Sequence, residues 1–330
     1  VMNCSIRKRI AGMLLLVLCL ICNTLSACGI GGAEMDDRSK IYVAIVAKST
    51  TSAYWKTTFA GARAASAEYN LEISIEGPEN EEDYETQNQM IHTAVENGAK
   101  AIVLSAVDYN ANAEAVNDAV AAGVKVIVID SDVCSDLVSC RISTDNYKAG
   151  KMVGEAVLSG KEDKLLVGIV NFDEHSENGQ QREKGFRDHV EGNERVTIVS
   201  SVNVNSTIEE AKEATKKMLN EHPEINIVVT LNEWTSLGVG YAVQELEAAE
   251  KTRVVAFDSN VVSVGMLETG EVDALVVQNP YAMGYLGVEY AWMLINGEKL
   301  KETDVDTTTT LITRENMYDT ENQKVLFSFD

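Results

Sequence analysis

The amino-acid sequence predicts an α/β protein built from two doubly wound lobes, and three observations support this fold class. Short runs of β-branched and aliphatic residues alternate with longer helical stretches from residue 41 onward, which is the βαβ rhythm. The apolar runs are continuous, as in parallel strands that are buried on both faces. About ten such strands exceed what one hydrophobic core accommodates, so two doubly wound lobes are the better interpretation.

The predicted strands fall into two series. The first series comprises residues 41–46, 71–75, 101–104 and 124–129. A helix follows the first strand, and two more helices in this series end at the glycine signals Asn97-Gly98 and Ala122-Gly123. The pattern starts again after Asp145-Asn146 with a helix to residue 158. The second series comprises residues 165–170, 196–199, 225–229, 253–257 and 274–277, with helices around Phe186, over 207–220 and near Leu237.

The first 27 residues predict a secretory signal peptide that is followed by a lipid-anchor site. Three basic residues at positions 7–9 precede an apolar run over 10–22, which is short for a bilayer-spanning helix and typical of a signal-peptide core. The segment Leu-Ser-Ala-Cys at 25–28 resembles the lipobox of bacterial lipoproteins, so Cys28 is the predicted acylated residue. An ordinary secreted protein with an incidental cysteine is the alternative. Residues 28–40 contain three glycines and predict a flexible tether.

Composition narrows the class of partner. The 330 residues include 28 basic and 51 acidic side chains, which gives a formal net charge of −23 at pH 7. Nucleic acid is therefore excluded as a partner, because its binding begins with lysine and arginine neutralising phosphates. An anionic lipid surface would repel such a chain as well. The predicted acyl group on Cys28 would then hold the protein at the membrane.

Two cysteines, Cys134 and Cys140, remain once the signal peptide leaves and Cys28 is acylated. They flank a short polar turn before an apparent strand, where their Cα atoms could approach to about 6 Å. Outside the cytoplasm such a pair predicts a disulfide, with two free buried thiols as the alternative. The histidines at 92, 175, 189 and 222 lack ligand spacing, so no metal site is predicted.

Polar side chains follow the predicted strands, where ligands of doubly wound sheets bind. These positions hold Lys48, Ser105, Asp130, Asn232, Asp258 and Gln278. Two lobes that present such strand ends to each other would form a polar cleft. Solvated loops also place polar residues at strand ends, so each position taken alone has a structural interpretation too.

Seven segments, taken in order, resemble the signature segments of ribose-binding-protein-like solute receptors of ABC transporters. They are Ser49–Trp55, Asp130–Asp132, Ser143–Asn146, Gln181–Phe186, Asn232–Glu233, Phe257–Asp258 and Val276–Asn279. The resemblance extends from about residue 41 to the C-terminus. It implies a type I periplasmic binding protein, a monomer with two Rossmann-like lobes joined by three hinge crossings. Lobe one would comprise 41–144 plus 279–308, and lobe two 145–278 plus 309–330.

The resemblance also implies a set of ligand-binding residues. Tyr54 and Trp55 occupy its two aromatic positions, where a ring can stack on the C–H face of a sugar, although both could pack in the core instead. The charged and amide positions match Asp130, Arg182, Asn232, Asp258 and Gln278. Carboxylates accept hydrogen bonds from neighbouring hydroxyls, and a guanidinium donates two parallel bonds. Lys48, Ser52, Ser105 and Asp132 complete the candidate site.

Several positions depart from the ribose-binding pattern. These differences argue against ribose itself as the ligand. Lys48 replaces a small polar residue, Ser52 and Ser105 stand where amides are familiar, and Ser131 replaces an arginine. We expect Lys48 to pair with Asp130 or Asp132, with an anionic ligand as the alternative. The resulting pocket would be close to electrically balanced, which favours a neutral sugar.

The resemblance implies capture of a monosaccharide and delivery to an ABC transporter permease, with no cofactor. A lipid-anchored sensor that presents its closed form to a membrane histidine kinase or chemoreceptor is the alternative. A glycosidase would also place paired carboxylates in a cleft, but the sequence has no nucleophile elbow, Walker loop or HExxH motif, so no catalytic residue is predicted. A LacI-type regulator would begin with a DNA-binding helix pair, where this sequence predicts a signal peptide.

Overall fold

The computed structural model describes residues 40–327. The predicted signal peptide over 1–27, the predicted lipid anchor Cys28 and the predicted tether up to residue 39 lie outside the described residues, as do residues 328–330. The described part contains two six-stranded sheets, each covered by helices.

The first sheet belongs to the first lobe. Its strands are β1 (Tyr42–Val46), β2 (Glu72–Glu76), β3 (Ala101–Leu104), β4 (Lys125–Ile129), β5 (Cys140–Ser143) and β11 (Asp304–Asp306). They pair in the order β11-β5-β4-β3-β1-β2, and all of these pairs are parallel. The helices that cover this sheet are α1 (Ala53–Glu68), α2 (Tyr84–Glu96), α3 (Ala113–Ala121) and α9 (Pro280–Ile295).

The second sheet belongs to the second lobe. Its strands are β6 (Leu165–Asn171), β7 (Val196–Asn203), β8 (Ile227–Thr230), β9 (Arg253–Phe257), β10 (Ala274–Val277) and β12 (Thr310–Thr313). They pair in the order β12-β10-β9-β8-β6-β7, with only β12 antiparallel to its neighbour. The helices of this lobe are α4 (Asn146–Leu158), α5 (Glu177–Val190), α6 (Ile208–Glu221), α7 (Glu233–Glu245), α8 (Val261–Thr269) and α10 (Thr320–Leu326).

Side-chain alternation along each strand builds one core on either face of its sheet. In β1, Val43 and Ile45 pack with residues of α1 and α9, whereas Ala44 and Val46 pack with residues of α2 and α3. Successive strand residues point to opposite faces, so an apolar run of this length buries both faces at once. The continuous apolar pattern of the predicted strands has this physical origin.

The chain crosses between the sheets three times within the described residues: between β5 and α4, between β10 and α9, and between β11 and β12. Each crossing leaves a strand of one sheet and enters an element of the other lobe. The second crossing returns the chain to the first lobe through α9. The predicted fold class, two doubly wound lobes joined by three crossings, is confirmed.

Cys134 and Cys140 are both free thiols, so the predicted disulfide is wrong for this structure. Cys140 begins β5, and its side chain packs in the first-lobe core, where burial raises the pKa of its thiol to about 12. Cys134 is exposed in the loop after β4. Strand formation therefore turns one thiol into the core while the other remains at the surface. Neither the predicted bridge nor the alternative of two buried thiols describes the pair.

Between residues 40 and 327, none of the helices combines the length and apolar character that crossing a bilayer requires.

Candidate functional site

A narrow polar cavity lies between the two lobes, at the carboxyl ends of their strands. The space free of protein atoms, including the solvent at its opening, is about 340 Å³. Nine of the eleven predicted ligand residues line it: Lys48, Ser52, Tyr54, Trp55, Asp130, Arg182, Asn232, Asp258 and Gln278. The structure thus brings these residues together, and their role as ligand contacts stays a prediction.

Asp130 receives hydrogen bonds from both lobes. It directly follows β4, and its side-chain oxygens accept bonds from the hydroxyls of Tyr54 and Ser105, each at 2.8 Å. The side-chain amide of Asn178, at the start of α5 in the second lobe, lies 3.4 Å away. Burial and the negative charge of Asp130 hold the pKa of Tyr54 well above its usual value, so this phenol remains a donor.

Two of the predicted ligand residues do not line the cavity. Ser105 is buried behind Asp130 and orients its carboxylate through the bond just described. Asp132 lies on another side of the loop after β4, where both carboxylate oxygens accept bonds from Nε of Arg141 at 2.8 and 2.9 Å. The chain takes a left-handed conformation at Asp130, with φ of 58°, and two residues later it no longer faces the cavity.

Arg182 is a buried cation that ties the second lobe to the hinge. Its side chain is only 1% exposed and stacks on the ring of Phe257, 4.4 Å from the ring centre. Its three described hydrogen bonds go to neutral oxygens: the side chain of Asn146 at 2.9 Å, the carbonyl of Leu231 at 2.7 Å and the side chain of Gln278 at 2.7 Å. Because these acceptors carry no charge, Arg182 keeps its positive charge available to the cavity.

Asp258 stands opposite Asp130, at the end of β9. It accepts a hydrogen bond of 2.7 Å from the side-chain amide of Gln278. Burial raises the pKa of Asp258 to about 7, and the neighbouring Glu233 and Asp130 carboxylates act in the same direction. The charge of Arg182 and the bond from Gln278 oppose this shift. Asp258 therefore changes its charge near neutral pH.

Lys48 does not form the ion pair expected from the sequence. Its ammonium group donates to the Ser176 hydroxyl at 2.6 Å and lies 5.4 Å from the centre of the Phe172 ring. Both partners belong to the loop between β6 and α5 in the second lobe. The expected partners are engaged elsewhere, since Asp130 accepts from Tyr54 and Asp132 pairs with Arg141. The lysine therefore connects the lobes.

Tyr54 and Trp55 pack in the first-lobe core and also border the cavity, and their stacking on a sugar stays a prediction. The rings meet edge to face with centres 5.2 Å apart, and the indole N–H of Trp55 donates to Glu81 at 2.9 Å. Ser52 caps the helix that carries them, because its hydroxyl accepts the Trp55 backbone N–H.

Five further residues line the cavity that the sequence reasoning missed: Glu81, Phe172, Asn178, Glu233 and Trp234. Phe172 directly follows β6, and Glu233 and Trp234 directly follow Asn232, so the strand-end rule could have included them. Glu81 lies five residues beyond β2 and Asn178 lies seven beyond β6. The loop with Glu81 and the start of α5 with Asn178 approach the cavity only in the folded chain, for which periodicity gives no signal.

Direct hydrogen bonds between the lobes keep the cavity closed. Besides the Lys48–Ser176 bond, the hinge residue Thr144 donates to Gln278 at 2.9 Å. At the rim, the backbone N–H of Ser206 in the second lobe donates to Glu82 in the first at 2.6 Å. Such contacts would separate if the lobes opened, so this arrangement is the closed form of a hinged pair.

Two α/β lobes, joined by three crossings and closed over a polar cavity, define the class of hinged solute-binding proteins. The periplasmic binding protein domain family matches residues 43–299, and the chain belongs to this family. Periplasmic binding proteins are extracytoplasmic proteins. The family membership confirms the resemblance that the seven sequence segments indicated.

One curated relative and one solved structure match most of the chain. The D-ribose/D-allose-binding protein of Pseudomonas aeruginosa is 27% identical over 317 residues, which are 93% of this chain and 99% of that protein. The carbohydrate transporter solute-binding protein of Agrobacterium radiobacter, solved with D-arabinose, is 28% identical with a TM-score of 0.85 and covers 88% of this chain and 99% of its own.

A third relative is the ABC transporter solute-binding protein of Agrobacterium vitis, solved with D-fucose. It is 27% identical with a TM-score of 0.83, and the match covers 87% of this chain and all of that one. These similarities place the chain among binding proteins of transport systems, which confirms that it is not an enzyme.

Proposed function

We propose that the protein captures a monosaccharide between its two lobes and delivers it to the permease of an ABC transporter. The observation that carries this proposal is the cavity itself, in which both lobes supply acidic, basic and amide side chains at the ends of their strands. Sugars present adjacent hydroxyl groups that both donate and accept. A site with Asp130 and Asp258 as acceptors and Arg182 as donor suits that pattern.

The names of the relatives support a sugar as the ligand. The three proteins described above are associated with D-ribose and D-allose, with D-arabinose and with D-fucose. The polar cavity of this chain offers the same kind of chemistry, with the rings of Tyr54 and Trp55 beside the carboxylates. Ring faces and carboxylates together suit a molecule with C–H groups on one face and hydroxyls at its rim.

The charges around the cavity favour a neutral ligand over an anionic one. Four carboxyl side chains, Glu81, Asp130, Glu233 and Asp258, line the cavity with only two cations, Lys48 and Arg182. A sugar phosphate or a sugar acid would add negative charge to this acidic excess. Like charges at short distance disfavour binding, so the cavity discriminates against anions by repulsion.

Delivery of a sugar to a permease requires that the protein be held at the membrane and that its two lobes open and close. We propose that Cys28 carries the lipid and that residues up to 40 form the tether. We also propose that lobe one comprises 41–144 plus 279–308 and lobe two 145–278 plus 309–330. These boundaries follow the three crossings between the sheets. A sensor kinase or chemoreceptor in place of the permease would use the same closure, and sugar uptake by cells lacking the gene separates the two recipients.

A thermal-unfolding panel tests sugar capture. The panel contains D-ribose, D-allose, D-arabinose, D-fucose, D-xylose and D-galactose, with D-ribose 5-phosphate and D-glucuronate as anionic comparators. A ligand at one hundred times its dissociation constant adds about 2.7 kcal/mol, which raises the Tm by about 5 °C. We expect one or two neutral sugars to do this and the anions not to. If no neutral sugar raises the Tm, or an anion raises it most, the proposal is wrong.

A further inference from the structure

Glu233 of the second lobe accepts hydrogen bonds from the backbone of the first lobe, and these bonds do not involve a ligand. It is the first residue of α7 in the second lobe, and its side chain is buried, with 6% exposure. Its carboxylate accepts the backbone N–H groups of Ala53 at 3.3 Å and Tyr54 at 3.0 Å. These two residues open α1 in the first lobe. One side chain of the second lobe thus caps a helix of the first.

The capping of α1 is divided between the two lobes. The first N–H groups of a helix have no partner within the helix. The N–H of Trp55, the third residue of α1, bonds to the hydroxyl of Ser52 in the same lobe. The N–H groups of the first two residues bond only to Glu233 among the described contacts. When the lobes separate, these two groups lose the carboxylate and must bond to water.

The position of Glu233 suits a negative charge. It lies at the N-terminus of its own helix α7 and faces the N-terminus of α1, and both helix dipoles favour an anion there. A third donor is the side-chain amide of Asn260, which caps α8 and lies 2.9 Å from the carboxylate. The three donors occupy both oxygens, Oε1 with Ala53 and Asn260 and Oε2 with Tyr54.

We propose that Glu233 is a positioning residue for ligand capture: from the second lobe it fixes the start of α1, and with it the Tyr54 and Trp55 rings, when the lobes close. Tyr54 then directs its hydroxyl to Asp130 at 2.8 Å. This proposal rests on the proposed function, because it assumes that closure captures the ligand. The carboxylate stabilises the closed form whichever sugar is bound, so it sets affinity and leaves the choice among sugars unchanged.

The test measures lobe separation without any sugar and binding with two sugars. Small-angle X-ray scattering on the ligand-free full chain gives the radius of gyration of wild type, Glu233→Ala and Glu233→Gln. Calorimetric titration with D-ribose and D-arabinose gives the dissociation constants. We expect a larger ligand-free radius of gyration for Glu233→Ala and a smaller increase for Glu233→Gln, which keeps one acceptor oxygen. Both dissociation constants should rise by the same factor, about tenfold for Glu233→Ala.

Asp273→Asn is the matched control. Asp273 is a partly buried carboxylate that accepts a backbone N–H, that of Val254 at 2.9 Å, but entirely within the second lobe. It directly precedes β10 and so lies at the amino-terminal end of that strand, whereas the cavity lies at the carboxyl ends of the strands. We expect the radius of gyration and the dissociation constants of this variant to match those of wild type.

Three results would overturn the proposal. They are an unchanged ligand-free radius of gyration in both Glu233 variants, an increase of equal size in Asp273→Asn, or a changed ratio between the two dissociation constants. The changed ratio would make Glu233 a ligand contact. If Glu233→Ala does not fold, Glu233→Gln provides the same comparison. If wild type binds neither sugar, the scattering still decides the role of Glu233, and the thermal panel decides the proposed function separately.

Discussion

Asp130 and Asp258 occupy equivalent places in the two lobes. Each directly follows a strand, β4 or β9, and each has a left-handed backbone, with φ of 58° and 65°. Aspartate tolerates this conformation better than most residues, although it still costs about 1 kcal/mol. Both carboxylates line the cavity. The sequence identifies these residues through their strand ends, but the left-handed turn that separates Asp130 from Asp132 has no sequence signal.

Asp258 should make stability depend on pH. Its pKa is about 7 in the folded protein, against 3.8 for the ordinary side chain, because burial disfavours the charged form. The folded state therefore binds more protons than the unfolded state between these values. Stability from this group is present below pH 4 and is lost as the pH rises through 7, by up to about 4 kcal/mol.

Asp258→Asn isolates this effect, because the amide has nearly the same shape and does not titrate. We expect wild type to lose stability relative to Asp258→Asn as the pH rises from 5 to 8. Urea unfolding at several pH values measures the difference, which should level off above pH 8. A difference that stays flat from pH 5 to 8 would show that the Asp258 carboxyl is not protonated in the folded protein.

At the scale of elements, the strands that carry the site were the most predictable. All five predicted strands of the second series overlap β6–β10, and the four of the first series overlap β1–β4. Their continuous apolar runs are a strong signal because both faces are buried. Elements without that signal were missed. The strand β11 has only three residues, two of them Asp, and it pairs with β5 after the second crossing has returned the chain to the first lobe.

Helices α8 and α9 were missed for a different reason. Both are rich in apolar residues and have no polar face that would mark a helical period: α8 reads VVSVGMLET, and α9 reads PYAMGYLGVEYAWMLI. An apolar helix of this kind resembles a strand or a core segment in sequence. The contacts between lobes, such as Lys48–Ser176, were unpredictable because they depend on how two separately folded sheets meet.

Glycines set how closely α1 and α9 pack. A Cβ atom built on Gly284 of α9 would lie 1.9 Å from the backbone carbonyl oxygen of Thr58 in α1. The backbones must separate to admit a methyl group there. We expect Gly284→Ala to lower the free energy of unfolding by about 1–3 kcal/mol, measured by urea denaturation.

The matched control for Gly284→Ala is Gly265→Ala in α8. Gly265 is also a helical glycine, but a Cβ built there meets no atom within 4 Å. Alanine is the better helix former, so this variant should gain about 0.5–1 kcal/mol. If both variants destabilise equally, close approach of α1 and α9 does not explain the role of Gly284.

At the scale of the whole molecule, the two lobes share one cavity. Asp130 of the first lobe accepts a hydrogen bond from Tyr54 of its own lobe. It also lies within hydrogen-bonding distance of Asn178 of the second lobe. Arg182 and Gln278 link the cavity to the hinge through their mutual bond at 2.7 Å. A ligand that bonds to both lobes would shift the equilibrium between open and closed forms toward the closed one.

Calorimetric titration of wild type, Asp130→Asn and Asp132→Asn tests this shared cavity most directly, with the sugar that raises the Tm most in the thermal panel. Hydrogen bonds to charged groups contribute about 1.5–3 kcal/mol. We therefore expect Asp130→Asn to weaken binding by about 10- to 150-fold. Asp132 lies two residues away but pairs with Arg141 outside the cavity, so Asp132→Asn should bind like wild type. Equal affinities for wild type and Asp130→Asn, or a loss confined to Asp132→Asn, would contradict ligand binding in this cavity.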